Sequence, residues 1–127
     1  MGVLGIGGLF FRAADPDALS EWYRRHLGIG AGLSAEGAGE PESWTWTAHG
    51  GPVAFAPFKA TTDYFPADKQ WMLNLRVAGL DALLGSLRAA GIAIVTDPSW
   101  DSPEAGRFAR IHDPEGNAIE LWEPPGA

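Results

Sequence analysis

One carboxylate is singled out by its setting. Glu120 lies in the run Ala118-Ile-Glu-Leu-Trp122, and the two-residue period of a strand puts Ala118, Glu120 and Trp122 on one face with Ile119 and Leu121 on the other. If the Ile/Leu pair packs against a helix, the carboxylate faces a cavity. A carboxylate removed from water needs a cation or donors beside it, so Arg110 on the preceding apolar run, or Arg107, is the expected partner. Two roles fit: a structural Glu–Arg pair, or a group that anchors a ligand or works as a general acid/base. The same alternation places Gly8, Phe10 and Arg12 on the cavity face of a first strand, and Met72, Asn74 and Arg76 on that of a fifth. Leu9 and Phe11, and Leu73, Leu75 and Val77, turn toward the helix side. Trp44 and Trp46 share one face of their strand and, with Trp122, either fill core or stack on a planar or cationic ligand; Trp22 reads as core. Small-molecule sites are lined by apolar and aromatic groups with a few polar ones. The expected ligand-binding set is therefore Phe10, Arg12, Trp44, Trp46, Met72, Asn74, Arg76, Arg110, Glu120 and Trp122, with Glu120 the candidate catalytic residue.

Other chemistries are poorly supplied. The chain has no cysteine, which rules out a thiolate nucleophile, a disulfide framework and cysteine-held zinc or iron–sulfur clusters, leaving His, Asp and Glu as the only metal donors. None of the three histidines, His26, His49 and His112, has a histidine or carboxylate at ligand spacing. His26 and His49 read as structural or surface residues, and His112 is nearest the site through its place before a turn. Gly28-Ile-Gly-Ala-Gly32 follows a helical pattern and precedes none, so no helix N-terminus is offered to a dinucleotide phosphate, and Gly5-Ile-Gly-Gly8 lacks the Gly-Lys-Ser/Thr ending of a P-loop. A net charge of -7 repels phosphate backbones and anionic lipid alike. No nucleic-acid or membrane partner is expected, nor any cofactor. The opening MGVLGIGGLFFRAADPD has neither a basic n-region nor a cleavage site, has Ile6 where myristoylation wants Ser or Thr, and is too short to span a bilayer. A soluble, cytoplasmic protein is the expectation.

The elements that must position these residues come in a repeated order. Leu4 to Ala13 reads as a strand, and Asp15-Pro16 as an N-cap with proline at the first helical position. Apolar residues at Ala18, Leu19, Trp22, Tyr23 and Leu27, closed by Gly28, then predict a helix over 16–27. Further strands are predicted near 29–33, over 43–48 and over 52–58, with a turn at His49-Gly50-Gly51. Lys59 to Gln70 is polar and without period, a connector. After it come a strand over 71–77, a helix over 79–90 on Leu80, Leu83, Leu84 and Leu87, a short strand over 92–95, and two strands, 107–112 and 118–122, flanking Asp113-Pro-Glu-Gly-Asn117. With 127 residues, 46% hydrophobic and 20% charged, the chain is one domain with a real core. Asp17-Ala18-Leu19 recurs as Asp81-Ala82-Leu83, 64 residues on, with Arg24 and Arg88 at the same offset. Together with the shared element order this reads as an internal duplication: a first module over 1–58, the connector 59–70, and a second module over 71–127.

The runs IGGLFFRAADPDALSEWYRRHLGI (6–29), NLRVAGLDALLGSLRAAGI (74–92) and, most specifically, the closing GRFARIHDPEGNAIELWEP (106–124) resemble the glyoxalase/bleomycin-resistance/extradiol-dioxygenase superfamily, the vicinal oxygen chelate fold. The resemblance implies an α+β fold of two tandem βαβββ modules forming a half-barrel around a cavity, commonly in a homodimer. Open faces and edge strands on two such small modules need cover, which points the same way. One architecture of this kind hosts isomerases, lyases, dioxygenases and metal-free antibiotic-binding proteins.

Metal-using members place a His or Glu ligand on the first and last strand of each module. The corresponding positions here are Gly8, Ala54, Met72 and Glu120, so only one donor of the set survives, and one carboxylate does not hold zinc, iron or manganese. The first expectation is a metal-independent small-molecule binding protein that sequesters an aromatic or cationic compound. The alternative is a lyase, isomerase or dioxygenase relative using Glu120 as acid/base or as part of a metal site completed by substrate or a second chain. A partner-binding scaffold without a small ligand is the third reading, and the absence of a charge run or low-complexity tail counts against it.

Overall fold

The computed structural model of the chain describes residues 2–29 and 46–126. Helix α1 runs Pro16–Leu27 and is set by its ends. The Asp15 carboxylate accepts from Ala18 N at 3.1 Å, Pro16 occupies the first turn where its missing N–H is no loss, and Gly28 closes the helix in the left-handed region (φ 69°) with its N–H bonded to Arg24 O. Strand β1 is Leu73–Arg76 and helix α2 is Leu80–Ala89. The start of α2 has no side-chain cap of its own. Glu123, on the strand beside the end of β1, supplies one, its carboxylate accepting from Leu80 N at 2.8 Å. Strands β2 (Arg107–His112) and β3 (Ala118–Glu123) form the closing hairpin.

The sheet order is β1-β3-β2, with β1 parallel and β2 antiparallel to β3. One face of it is apolar. Ala109 and Ile111 of β2 and Ile119 and Leu121 of β3 are fully buried with Leu19 and Tyr23 of α1 and Leu80, Leu84 and Leu87 of α2, and Leu73 and Leu75 of β1 pack against the cluster. Both helices thus lie on this face, the first from the N-terminal half of the chain and the second from the C-terminal half. The expected strand over 92–95 contracts to a single bridge, Val95 to Arg110, after which a 3-10 turn, Pro98–Trp100, capped by Asp97, leads back to the hairpin.

The turn Asp113-Pro-Glu-Gly-Asn117 is the clasp between the halves. Asp113 is 5% exposed, and its carboxylate accepts from Tyr23 Oη at 2.8 Å, Glu115 N at 2.9 Å, Asn117 N at 3.0 Å and Asn117 Nδ2 at 2.7 Å. Glu115 extends the clasp, taking Ala14 N at 2.6 Å and Asp15 N at 3.0 Å on its two oxygens. Burial first, and the Asp113 carboxylate second, hold the Tyr23 phenol far above its ordinary range.

The N-terminal half departs from the predicted pattern. Among the described residues, 4–13, 46–48 and 52–58 form no strand; the rest of the predicted strands near 29–33 and over 43–48, including Trp44, lies outside the described residues. Among the described residues these runs have no ladder partner, and much of their apolar surface is exposed. Val3 is 95% exposed, Leu4 94% and Phe55 87%, and a strand without a ladder partner or a packed face has nothing to offset the entropy of ordering, least of all one carrying Gly5, Gly7 and Gly8. The described part of the fold is thus a small α+β unit with a three-stranded sheet.

Candidate functional site

The sheet face opposite the helices carries the polar side chains that alternation assigns to it. Asn74 pairs with Glu120 across the β1–β3 ladder, and Arg110 pairs with Glu120 across β3–β2, so the three form one row through the middle of the sheet. A second row, Arg76, Trp122 and Phe108, lies one step along.

Glu120 is half-buried and fully engaged. Asn74 Nδ2 donates to Oε1 at 2.7 Å and the Tyr64 hydroxyl donates to Oε2 at 2.5 Å. The expected ion pair to arginine is not what this carboxylate makes. Arg110, although directly across the ladder, reaches past it: Nη1 donates to Tyr64 O at 2.5 Å, and the guanidinium lies 5.1 Å from the Tyr64 ring centroid and 5.0 Å from that of Trp100. Arg107 is at the other end of the sheet, 2.7 Å from Asp81 and 3.7 Å from Glu123. Two neutral donors close to Glu120 serve a half-buried anion, while the flat, weakly hydrated guanidinium lies against two neighbouring rings. Arg110 Nε is buried without a hydrogen-bond partner. Burial, then the Glu120 carboxylate, push the Tyr64 phenol well above its usual range, with Arg110 acting weakly in the other direction.

Tyr64 and Trp100 are the members of this centre that the sequence reading missed. The connector Lys59–Gln70 is polar and aperiodic as expected, but Tyr64-Phe65 inside it packs an aromatic cluster over the sheet. Phe58 lies 5.8 Å from each of these rings, and Tyr64 lies 5.7 Å from Trp100 in an edge-on contact. An aromatic pair in an otherwise polar linker, followed by Pro66, is the signal that could have shown it. Trp100 is brought there by the Val95–Arg110 bridge, which docks the following turn beside Arg110.

The other expected site residues fall into separate environments. Arg76 donates to the carbonyls of Pro52 at 2.7 Å and His49 at 2.5 Å, and lies so close to Gly51 that an added Cβ there would sit 2.8 Å from its Cζ. Its cation is thereby committed to the His49–Pro52 turn. Trp122 stacks on Phe108, 6.3 Å between centroids and 4° from parallel, and donates Nε1 to Ala105 O at 2.7 Å. Met72 is half-buried and Trp46 is 52% exposed. Phe10 and Arg12 line a shallow cleft of about 410 Å³ with Lys69 and Trp71, separate from Glu120. His26 packs on Trp22 at 5.3 Å, and His112 is exposed opposite Ala118.

Among the described residues the donor set around Glu120 does not suit a metal. Among the described residues no three of His, Cys, Asp and Glu converge, and both oxygens of Glu120, the surviving ligand position, are already spoken for by Asn74 and Tyr64. What the centre presents instead is a carboxylate held by two neutral donors, a guanidinium plate and aromatic walls, groups suited to a flat molecule that donates in place of one of those two. No helix among the described residues is long and apolar enough to cross a membrane.

Comparison with known proteins gives a family and similar solved structures. The sequence model of the Glyoxalase-like domain matches residues 8–122. A crystal structure of TnmS3, an antibiotic binding protein from Streptomyces sp. CB03234, is similar at 36% identity with a TM-score of 0.33 over 41% of this chain, and the match spans 40% of that chain. No curated protein matches.

Proposed function

We propose that this chain, which belongs to the glyoxalase-like domain family, is a small-molecule binding protein whose ligand lies on the sheet face around Glu120, held by polar and aromatic groups in place of a metal. The observation that carries the reading is the Glu120 centre. A carboxylate at the last-strand ligand position accepts from Asn74 and Tyr64 and stands beside a cation that lies against two rings. Aromatic and cationic compounds are the classes such walls recognise.

The architecture proposed for this function is the full half-barrel of two βαβββ modules, 1–58 and 71–127, joined by the connector 59–70, in a cytoplasmic homodimer. Support comes from the second half, whose β1, α2, Val95 bridge, β2 and β3 follow the βαβββ order, and from α1, which repeats α2 on the same face of the sheet. Exposed apolar side chains of the first half, among them Leu4, Phe10, Val53 and Phe55, are the surface a second copy would cover.

The test is a thermal-shift screen of the purified chain against neutral aromatic, phenolic, cationic aromatic and 2-oxo compounds, repeated on Glu120→Gln. A hit whose affinity falls by at least about tenfold in the variant supports the reading. Hits insensitive to Glu120→Gln place the ligand elsewhere. Turnover of a 2-oxo or hydroxy compound, lost in the same variant, favours the enzyme alternative.

A further inference from the structure

We propose that the ligand of the Glu120 site is a hydroxyl-bearing aromatic ring, and that Tyr64 occupies its place from within the chain until such a ligand displaces it. The inference rests on the reading of this face as a small-molecule site and narrows the class. The group seated on the centre of the sheet is itself a phenol. Its hydroxyl donates to Glu120 Oε2 at 2.5 Å, its ring lies under the Arg110 guanidinium at 5.1 Å, and Trp100 meets it edge-on at 5.7 Å. Because Asn74 Nδ2 already holds the other carboxylate oxygen at 2.7 Å, the centre has one acceptor to offer an incoming donor, and Tyr64 is using it.

The charge of the centre selects among ligands. A cationic ligand approaching Glu120 also approaches Arg110, a like charge half-removed from water, whereas a neutral aromatic alcohol presents a donor to the carboxylate and a π face to the guanidinium. Arg110 Nε, buried and unpartnered, leaves a further donor for an oxygen-bearing ring.

The occupant can leave without dismantling the fold. Tyr64 sits on a bend of the connector between two isolated turns, Thr62 N to Lys59 O and Lys69 N to Pro66 O. It belongs to no helix or strand and is absent from the buried core. Its backbone is retained independently of its ring, through Arg110 Nη1 on its carbonyl, so rotation of the side chain frees Oε2 while the connector stays attached.

The experiment titrates the full chain and its Tyr64→Phe variant with 2-naphthol, 2-methoxynaphthalene and a naphthyl trimethylammonium salt. Tyr64→Phe keeps a ring against Phe58 and Trp100 and removes only the competing hydroxyl. 2-Naphthol is expected to bind the wild type saturably and at least about tenfold tighter than its methyl ether, and to bind Tyr64→Phe at least about threefold tighter still, with the ether little changed. A Tyr64→Ala variant with native circular dichroism is expected to admit 2-naphthol at least as well as Tyr64→Phe. Equal affinity for naphthol and ether, or naphthol binding unchanged or weakened in Tyr64→Phe, overturns the proposal. Binding of the ammonium salt with no response to 2-naphthol overturns it while leaving the small-molecule reading in place. No binding of any of the three probes to either protein overturns both.

Discussion

Replacing Asp113 with alanine is expected to be among the most damaging single substitutions outside the apolar core. The side chain is 5% exposed and its two oxygens accept from Tyr23 Oη, Glu115 N, Asn117 N and Asn117 Nδ2, all within 3.0 Å. A hydrogen bond to a charged group contributes about 1.5–3 kcal/mol, and a buried donor left without a partner costs about 1–3 kcal/mol. The four are coupled through one carboxylate and do not add, and the Glu115 N–H can turn to water. The loss is therefore about 3–5 kcal/mol, a large share of the stability of a domain of this size. Tyr23→Phe removes one donor and leaves the carboxylate three, so it is expected to cost about 1–2 kcal/mol. The two changes in one chain should fall short of additivity by a similar amount. Urea unfolding followed by tryptophan fluorescence measures all three midpoints. An Asp113→Ala chain that loses less than about 1 kcal/mol with an unchanged slope would show that the turn is solvated in solution and that α1 is not held to the hairpin through Tyr23.

The chain has two tyrosines, Tyr23 and Tyr64, and both phenols are held above their ordinary value of 10.0, chiefly by burial. A raised phenol favours the protonated form in the folded state, so its contribution is fully present below about pH 10 and is lost as pH rises beyond it. Near-ultraviolet titration of the native protein should therefore show no tyrosinate at about pH 10.5, while urea-unfolded protein titrates near about 10; a native midpoint at the unfolded value would contradict the burial of both rings. Gly106→Ala should lower stability by more than about 2 kcal/mol, because φ is +104° and an added Cβ would overlap the carbonyl oxygen of Glu123. A neutral effect on the urea midpoint would mean that the Ser102–Gly106 bridge is not formed.

Local signals carried much of this fold. The α1 bounds follow from Asp15-Pro16 and Gly28, whose capping roles depend only on neighbours along the chain. Alternation along 71–77 and 118–122 sorts buried Ile119 and Leu121 from Asn74 and Glu120, because the period of a strand is a property of the backbone. What depends on distant partners was not legible. The apolar runs 4–13 and 52–58 have strand composition, yet composition does not supply an edge to pair with. Arg110 or Arg107 is the expected partner of Glu120 because a carboxylate removed from water needs a cation or donors beside it. The sequence contains no local sign that a connector tyrosine and a turn tryptophan would take up the guanidinium of Arg110. The DPEGN turn was read as hairpin geometry, and its second task, binding the start of α1 and Tyr23, spans about a hundred residues of chain.

The proposed function requires a ligand held at Glu120 without a metal. The direct measurement is the dissociation constant of a hit from the aromatic screen, taken by calorimetry on the chain as purified, after exhaustive chelation, and after re-addition of zinc, iron(II) or manganese. An affinity that stays within about twofold through all three, and drops by at least about tenfold in Glu120→Gln, is the predicted result. Binding that disappears on chelation and returns with one of these metals would contradict it, and would mean that Glu120 gives up Asn74 and Tyr64 for a metal whose remaining ligands come from elsewhere in the assembly.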